Sequence, residues 1–417
     1  MVDAKTYTPQ SQNPFKPGAG HMPPHLAGRI KEIEAFEKLL QQTTILENVV
    51  LTGLRGIGKT VLSERLRPIA NNNGWLWTGS DLSESTSVSE QSLAIRILTD
   101  IAVVTSGITY DVENIQLAGF ESNIESIEKK IDLPFLQRLY QDSPGLSSDK
   151  LKSVLEFVWL HIKKYPKVKG IVFAYDESQN MCDHSEGNQY PLSMLLDVFQ
   201  SIQRKEIPFM LLLVGLPTLF PKLVETRTYA ERMFSVMSLC KLTKNESKEA
   251  VVKPIEDINH PVKFDEKSVE LIVGASDGYP YFIQFICREA YDVFLQKIND
   301  QDKPSVPLHE IVAKLDTDFF SGRWARATDR QKELLAIIAK VETSEKEFTS
   351  AQISEIIKVN SFVKISSSQI NQMLNTLIKN GLIYKDRYGK YCFAVPLLRE
   401  FISRQDVSIR NISNSDN

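Results

Sequence analysis

Apolar positions along the chain change period several times, and each change marks an element. From Arg29 the segment IKEIEAFEKLL sets Ile30, Ile33, Phe36, Leu39 and Leu40 on one stripe with charges opposite, which predicts an amphipathic helix. Asn48-Val-Val-Leu-Thr52 is short, β-branched and stopped by Gly53, the profile of a strand buried on both faces. After Thr60, VLSERLRPIA returns to helical spacing until Pro68 and Asn71-Asn-Asn-Gly74 end it, and Trp75-Leu-Trp-Thr78 reads as the next strand. Leu151 to Lys164 is a strongly periodic helix. Lys169 to Asp176 (KGIVFAYD) and Phe209 to Val214 are two further buried strands, and the strands stop near Leu242. Helices alternating with unbroken apolar strands predict an α/β fold, a parallel sheet with helices on both faces.

From Asn245 the pattern turns helical through SKEAVVKPIEDI, DEKSVELIVGAS and PYFIQFICREAYDVFLQKI, with another helix from Leu308 to Trp324. These make a small helical lid. Thr328 to Arg404 reads as three helices, a hairpin and a closing helix opened by Pro396, which is the order of a winged helix. Its third helix, Ser366 to Lys379, buries Ile370, Met373, Leu374, Leu377 and Ile378; strands follow at Leu382 to Lys385 and Lys390 to Ala394, around Asp386-Arg-Tyr-Gly389. The expected organisation is an extended amino-terminal arm over 1–25, an α/β domain over 26–243, the lid over 244–325, the winged helix over 326–405, and a disordered tail over 406–417. Residues 81–150, polar with helical pieces at Gln91 to Val103 and Leu133 to Tyr140, form an insertion in the α/β domain to which the pattern gives no role.

Composition narrows the picture. At 417 residues, 24% charged and 42% hydrophobic, the chain is too large for one core and is neither collagenous, coiled-coil nor wholly disordered. A net charge of −3 gives no whole-chain signature of nucleic-acid or membrane binding, so any such surface is local. The four cysteines are far apart without a C-x-x-C pair, which argues against a zinc ribbon or a disulfide framework and for a reducing cytoplasm. The longest apolar run, Phe209 to Phe220, is too short to span a bilayer, and the first residues lack a signal-peptide core. The six histidines show no metal-ligand spacing.

Candidate chemistry begins at Gly53-Leu-Arg-Gly-Ile-Gly-Lys-Thr60, a G-x-x-x-x-G-K-[ST] loop placed after a predicted strand and before a predicted helix. Gly53, Gly56 and Gly58 let backbone N–H groups turn inward around phosphates, and the helix start offers its positive end. Lys59 is expected on the β- and γ-phosphates and the Thr60 hydroxyl on magnesium; Arg55, Ile57 and Val61 belong to the same nucleotide-binding stretch. Ile171-Val-Phe-Ala-Tyr-Asp176-Glu177 supplies the acidic strand end that such a loop needs. Asp176 is expected to hold magnesium through water, and Glu177 to orient and deprotonate an attacking water.

This loop, together with Ala27-Gly28-Arg29 upstream and Gly278-Tyr-Pro280 downstream, resembles the AAA+ and signal-transduction ATPases of the initiator-like branch, near the origin-recognition ATPases. With Asn13-Pro-Phe-Lys-Pro-Gly, Gly215-Leu-Pro, Tyr229-Ala-Glu-Arg-Met-Phe234 and Gly278-Tyr-Pro-Tyr-Phe282, it is more narrowly similar to a bacterial ATP-binding family with a carboxy-terminal winged helix, over nearly the whole chain apart from 81–150. The resemblance implies an ATPase using ATP and Mg2+. It puts Gly28 and Arg29 beside the adenine, and Gly278 and Pro280 in the lid over it; equally, Gly278 ends one helix and Pro280 starts the next. It implies that Arg232 meets the γ-phosphate, in some relatives from a neighbouring subunit, which points to a homo-oligomer; Arg227 competes for that role. One departure is Val214-Gly-Leu-Pro217, which lacks the Asn, Thr or Ser that usually senses the γ-phosphate there, with Thr218 as a substitute. A slow switch is expected rather than a processive motor.

A winged helix can enter the major groove of duplex DNA with its third helix, where Gln and Asn bind adenine edges, while wing cations hold phosphate. Gln369, Asn371, Gln372, Lys385, Arg387 and Lys390 are the candidates. Thr328 to Arg404 carries twelve basic against eight acidic residues, a modest excess for a DNA binder. Such domains also face proteins, so an alternative is a regulatory or defence ATPase whose winged helix and lid take a protein partner encoded nearby.

Overall fold

The computed structural model describes residues 12–116, 124–256, 260–340, 347–359, 365–387, 389–405 and 407. Two compact units divide the chain: Arg29–Gly53 with Lys59–Leu239, and Met1–Gly28 with Leu54–Gly58 and Cys240–Asn417.

In the first, the order is α1 (Ile30–Leu39), β1 (Asn48–Thr52), α2 (Lys59–Asn72), β2 (Trp75–Thr78), α3 (Glu90–Thr105), β3 (Thr109–Gln116), β4 (Ile124–Lys130), α4 (Leu133–Asp142), α5 (Ser147–Ile162), β5 (Gly170–Tyr175), α6 (Pro191–Gln203), β6 (Phe209–Gly215), α7 (Leu219–Thr226), α8 (Ala230–Met233) and β7 (Phe234–Ser238). Strands β2-β5-β6-β1-β7 form one parallel sheet flanked by helices. Every residue of β1, β5 and β6 is buried, as their unbroken apolar runs require of strands covered on both faces. The register pairs Thr52 with Gly215 and Tyr175 with Leu213, so β1, β5 and β6 end together at their carboxyl edge. In such open sheets that edge is where ligands sit.

A buried amide sets the opposite end. Asn48 donates from Nδ2 to Met233 O at 3.2 Å and to Gln203 Oε1 at 3.1 Å, while its Oδ1 accepts from Leu211 N at 2.8 Å. Three partner groups are thus satisfied where β1, β6 and β7 begin, and an apolar residue at 48 would leave them without this bond.

Two elements of this unit escape the sequence pattern. Strand β7 reads Phe-Ser-Val-Met-Ser, a half-buried edge strand at the end of the sheet, too short for its alternation to register. Strands β3 and β4 form an antiparallel hairpin inside the insertion, where only helices were expected. Both strands are dominated by charged and polar residues, so no apolar face announces them; the Lys129 ammonium bridging Glu113 at 2.8 Å and Asp111 at 3.5 Å supplies the cross-strand pairing instead.

The second unit opens with the arm, pinned by Asn13 Nδ2 on Arg288 O (2.9 Å) and Asp292 Oδ1 (2.8 Å) and by Phe15, buried against Phe264 and Tyr291. Residues 1–11 lie outside the described residues. Then follow α9 (Lys244–Val252), α10 (Glu266–Ser276), α11 (Pro280–Asn299), α12 (Leu308–Leu315) and α13 (Ser321–Trp324). The single helix expected over 308–324 is interrupted by a π-helical turn at Asp316–Phe320. Arg404 clamps that turn through Asp316, and Phe401 stacks on Phe320 at 5.0 Å. The chain ends with α14 (Asp329–Ala339), β8 (Glu347–Thr349), α15 (Ser350–Val359), α16 (Ser367–Lys379), β9 (Ile383–Arg387), β10 (Lys390–Phe393) and α17 (Leu398–Arg404). Strand β8 adds to the expected hairpin, giving an antiparallel sheet in the order β8-β10-β9. The closing helix starts at Leu398, after a left-handed Leu397, rather than at Pro396. The expected tail lies outside the described residues apart from Val407.

Candidate nucleotide site

Buried β1 delivers the phosphate loop, and α2 begins at Lys59 directly after it. Gly56 and Gly58 hold φ of 75° and 93°, a region open to glycine but costly for other residues, which explains their place in the loop. Within the sheet unit, Lys59 Nζ donates to Gly53 O at 3.0 Å, which folds the ammonium back to the residue after β1. Thr60 Oγ1 donates to Asp176 Oδ2 at 2.6 Å, joining the first turn of α2 to the end of β5 across 116 residues of sequence. Two hard oxygen ligands so placed fit magnesium, which keeps most of its water and takes one or two protein oxygens.

The backbone of Asp176 is fixed by Ser80 and Leu82: its N–H donates to Ser80 O at 3.2 Å, and its carbonyl accepts from Leu82 N at 2.9 Å. Its Oδ1 accepts from the N–H of Glu177 at 2.7 Å. Glu177 then departs from strand geometry, with φ 51° and ψ 30° in the left-handed region. A side chain is strained there, so the turn is held by its surroundings, and it leaves Glu177 exposed two residues past the end of β5.

What holds it is Gln179, a residue that sequence reasoning missed. Its Nε2 donates to Glu177 Oε2, and its Oε1 accepts from Leu216 N at 3.1 Å, just past the end of β6. Its backbone carbonyl accepts from Lys222 Nζ at 2.8 Å, and burial lowers that lysine from its ordinary value. At the third strand end, where the sequence lacks a polar sensor, a carboxamide therefore arrives from the β5 side. Thr218 caps α7 without a side-chain bond. No motif spacing signals Gln179; its position two residues past Glu177 was the available clue.

Behind β5, Arg96 donates to both carboxylate oxygens of Asp100, which is 1% exposed, and Thr78 Oγ1 donates to the Asp100 carbonyl. Burial, then the Asp100 charge, pushes the phenol of fully buried Tyr175 well up. This ionic network backs the strand that carries Asp176.

The remaining sequence candidates fall as follows. Ile57 and Gly53 are buried, Val61 is half-buried, and Arg55 is exposed. Arg29, 5% exposed, lies 3.8 Å from Glu32. Gly28 adopts φ 66°. In the second unit, Gly278 (φ 74°) has a structural reason of its own: an added Cβ would stand 2.4 Å from Leu242 O, and its carbonyl accepts from Leu242 N at 2.8 Å. Pro280 is the first residue of α11. Arg227 is engaged, its Nε and Nη2 on Asp197 at 3.0 and 2.8 Å, with Tyr229 OH on the same carboxylate at 2.6 Å. Burial works upward on Asp197, but these bonds outweigh it and hold the carboxyl below its ordinary value. Arg232, exposed on α8, has no ion pair among the described residues.

On α16, Gln369 Oε1 accepts from Ser366 N at 2.9 Å, and Ser366 Oγ accepts from Gln369 N at 3.3 Å, a reciprocal cap. Asn371 and Gln372 are exposed. Lys390 Nζ pairs with Glu347 at 2.9 Å, Lys385 is exposed on β9, and the side chain of Arg387 lies outside the described residues. Among the described residues no group of three or more His, Cys, Asp or Glu side chains is placed to hold a metal, and no helix is long and apolar enough to cross a membrane.

Comparison with known proteins bears on the fold. A family model described as "Domain of unknown function (DUF8462)" matches residues 317–402. No curated protein matches the sequence. Among solved structures, the Aeropyrum pernix ORC2 protein with ADPNP and ADP is similar over 93% of this chain and 96% of its own, at 14% identity and TM-score 0.52. The ADP form of the same protein is similar over 94% and 97%, at 16% identity and TM-score 0.50. The likeness shows that the chain shares the fold of that ORC2 protein.

Proposed function

We propose that this protein is a magnesium-dependent ATPase, cytoplasmic and slow in turnover, that works as a nucleotide-controlled switch through its carboxy-terminal winged helix. The observation that carries the reading is the 2.6 Å bond from Thr60 to Asp176, with Glu177 held just beyond it. Lys59 and the loop amides bind and orient the phosphates, and Thr60 and Asp176 hold Mg2+, which supplies charge neutralisation when bound. Glu177 orients the water and takes its proton. Arg232, exposed and without an ion pair among the described residues, reaches a neighbouring copy. The nucleotide-bound ORC2 protein of like fold supports the choice of ATP.

Duplex DNA is the partner in the first reading, through Asn371, Gln372 and the cations of the β9–β10 hairpin. A protein partner is the second, favoured by two observations: Gln369 is spent on its own helix cap, and Lys390 is paired with Glu347. Steady-state ATP hydrolysis with and without duplex DNA tests both. Glu177→Gln is expected to lower kcat by roughly 10² to 10⁴, and Lys59→Ala to abolish turnover. Wild-type turnover raised by DNA supports the first partner, and turnover indifferent to DNA the second; activity surviving Glu177→Gln overturns the site.

A further inference from the structure

In the second unit, three arginines gather, none of them in an ion pair among the described residues. Arg55, exposed in the phosphate loop, brings its Nη1 to 3.7 Å from the point where a Cβ on Gly381 would stand. Arg323, half-buried on α13, donates from Nη1 to Phe319 O at 2.8 Å and lies 4.5 Å over the Phe319 ring. That ring is 5.0 Å from Tyr281, whose N–H donates to Gly56 O at 3.2 Å, so Arg323 is fixed one aromatic layer from the neighbour of Arg55. Arg326, exposed just past α13, accepts on its carbonyl from Asn380 Nδ2 at 3.4 Å, beside the same Gly381 turn.

Among the described residues no carboxylate forms an ion pair with any of the three. Burial first, then the charges of Arg55 and Arg326, lower Arg323 from the ordinary arginine value. Like charges held together are a standing cost, which a bound anion removes. Guanidinium forks match the oxygens of a phosphate, and stacking on Phe319 has already met much of the ordering cost for one of them.

We propose that Arg55, Arg323 and Arg326 form a phosphate-binding site, filled by inorganic phosphate or by the terminal phosphate of a nucleotide. A phosphate held there draws together the loop preceding Lys59, the end of α13 and the turn that closes α16, and so ties the phosphate state to the winged-helix region. The site stands on its own geometry and does not require that Lys59 support hydrolysis.

The test is calorimetric titration of inorganic phosphate into the full chain carrying Lys59→Ala, which removes the phosphate-loop cation, with chloride at matched ionic strength as control. Binding is expected to persist in that background and to weaken by roughly tenfold or more when Arg326→Gln is added. In chloride alone, Arg326→Gln should raise the melting temperature, because a repulsive charge is gone; since Arg326 is exposed, that variant is expected to fold, and Arg323→Gln serves as a second. Repeating the titration with ADP or with ADPNP separates the two sources. Competition by ADPNP alone assigns the site to the nucleotide's terminal phosphate, and indifference to both assigns it to free phosphate. Absent phosphate binding in the Lys59→Ala chain, or an affinity in both arginine variants equal to that of the Lys59→Ala parent, overturns the proposal.

Discussion

The ends of β1 and β5 and the outer face of α16 both carry polar residues that the chain alone marks as candidates, but the structure uses them differently. At the strand ends, Thr60 and Asp176 have each other as partner, and Glu177 is turned outward by a left-handed backbone. On α16, Gln369 is occupied by Ser366. Buried parallel strands fix where their last residues point, so a spacing motif becomes a geometry. An amide on an exposed helix has local backbone groups to satisfy, and these compete with any external role. A polar residue is therefore informative in proportion to how much of its position is dictated by buried neighbours.

That reasoning can be broken at the support behind β5. Replacing Asp100 with Asn removes one charge of an ion pair whose carboxylate is 2% exposed while the Arg96 side chain is 34% exposed. A fully buried pair that loses one partner costs about 3–5 kcal/mol; because Arg96 still reaches water, about 2 kcal/mol is expected here. Urea unfolding should show a lower midpoint, together with reduced ATP turnover as the Asp176 strand loses its backing. Unchanged stability and turnover would mean that strand burial alone fixes the site.

How much was legible follows the same division. The glycine-rich turn between β1 and α2, the acidic end of β5 and the α/β alternation were readable because each combines a backbone requirement with a fixed spacing. The β3–β4 hairpin was not, since Asp111, Glu113 and Lys129 stabilise it by charge pairing across strands and no apolar face marks it. Nor were Asn48 and Gln203, which lie 155 residues apart and pair only when β1 and α6 are brought together. The helix expected over 308–324 was right in extent but hid a π turn, whose extra residue leaves no trace in a helical period.

Gln179 sharpens the comparison at smaller magnitude, since it touches the site through Glu177. Gln179→Leu keeps the side-chain volume while removing the bonds to Glu177 and to Leu216. As a positioning residue it should act on kcat, with a decrease of roughly tenfold, and leave KM close to wild type. Gln179→Glu would restore volume and an acceptor for Leu216 but place a second carboxylate beside Glu177, and should not rescue turnover. A change confined to KM, or equal losses of kcat and folded protein, would remove Gln179 from the catalytic arrangement.

The smallest effect is expected on α16, where it decides what Gln369 is for. Its carboxamide oxygen and the Ser366 hydroxyl satisfy two backbone donors at the helix start. Losing such a cap costs typically ~1 kcal/mol. Gln369→Ala should therefore speed amide exchange in the first turn of α16 while leaving the sheet unit protected, because the cost falls on the helix it caps. Asn371→Ala with Gln372→Ala should leave exchange unchanged, since both side chains are exposed. If α16 reads DNA through its exposed amides, the double substitution weakens binding and Gln369→Ala does so only as far as it frays the helix. A larger binding loss from Gln369→Ala would show that the cap opens on contact with DNA, making Gln369 a reader whose free-state bond is a resting position.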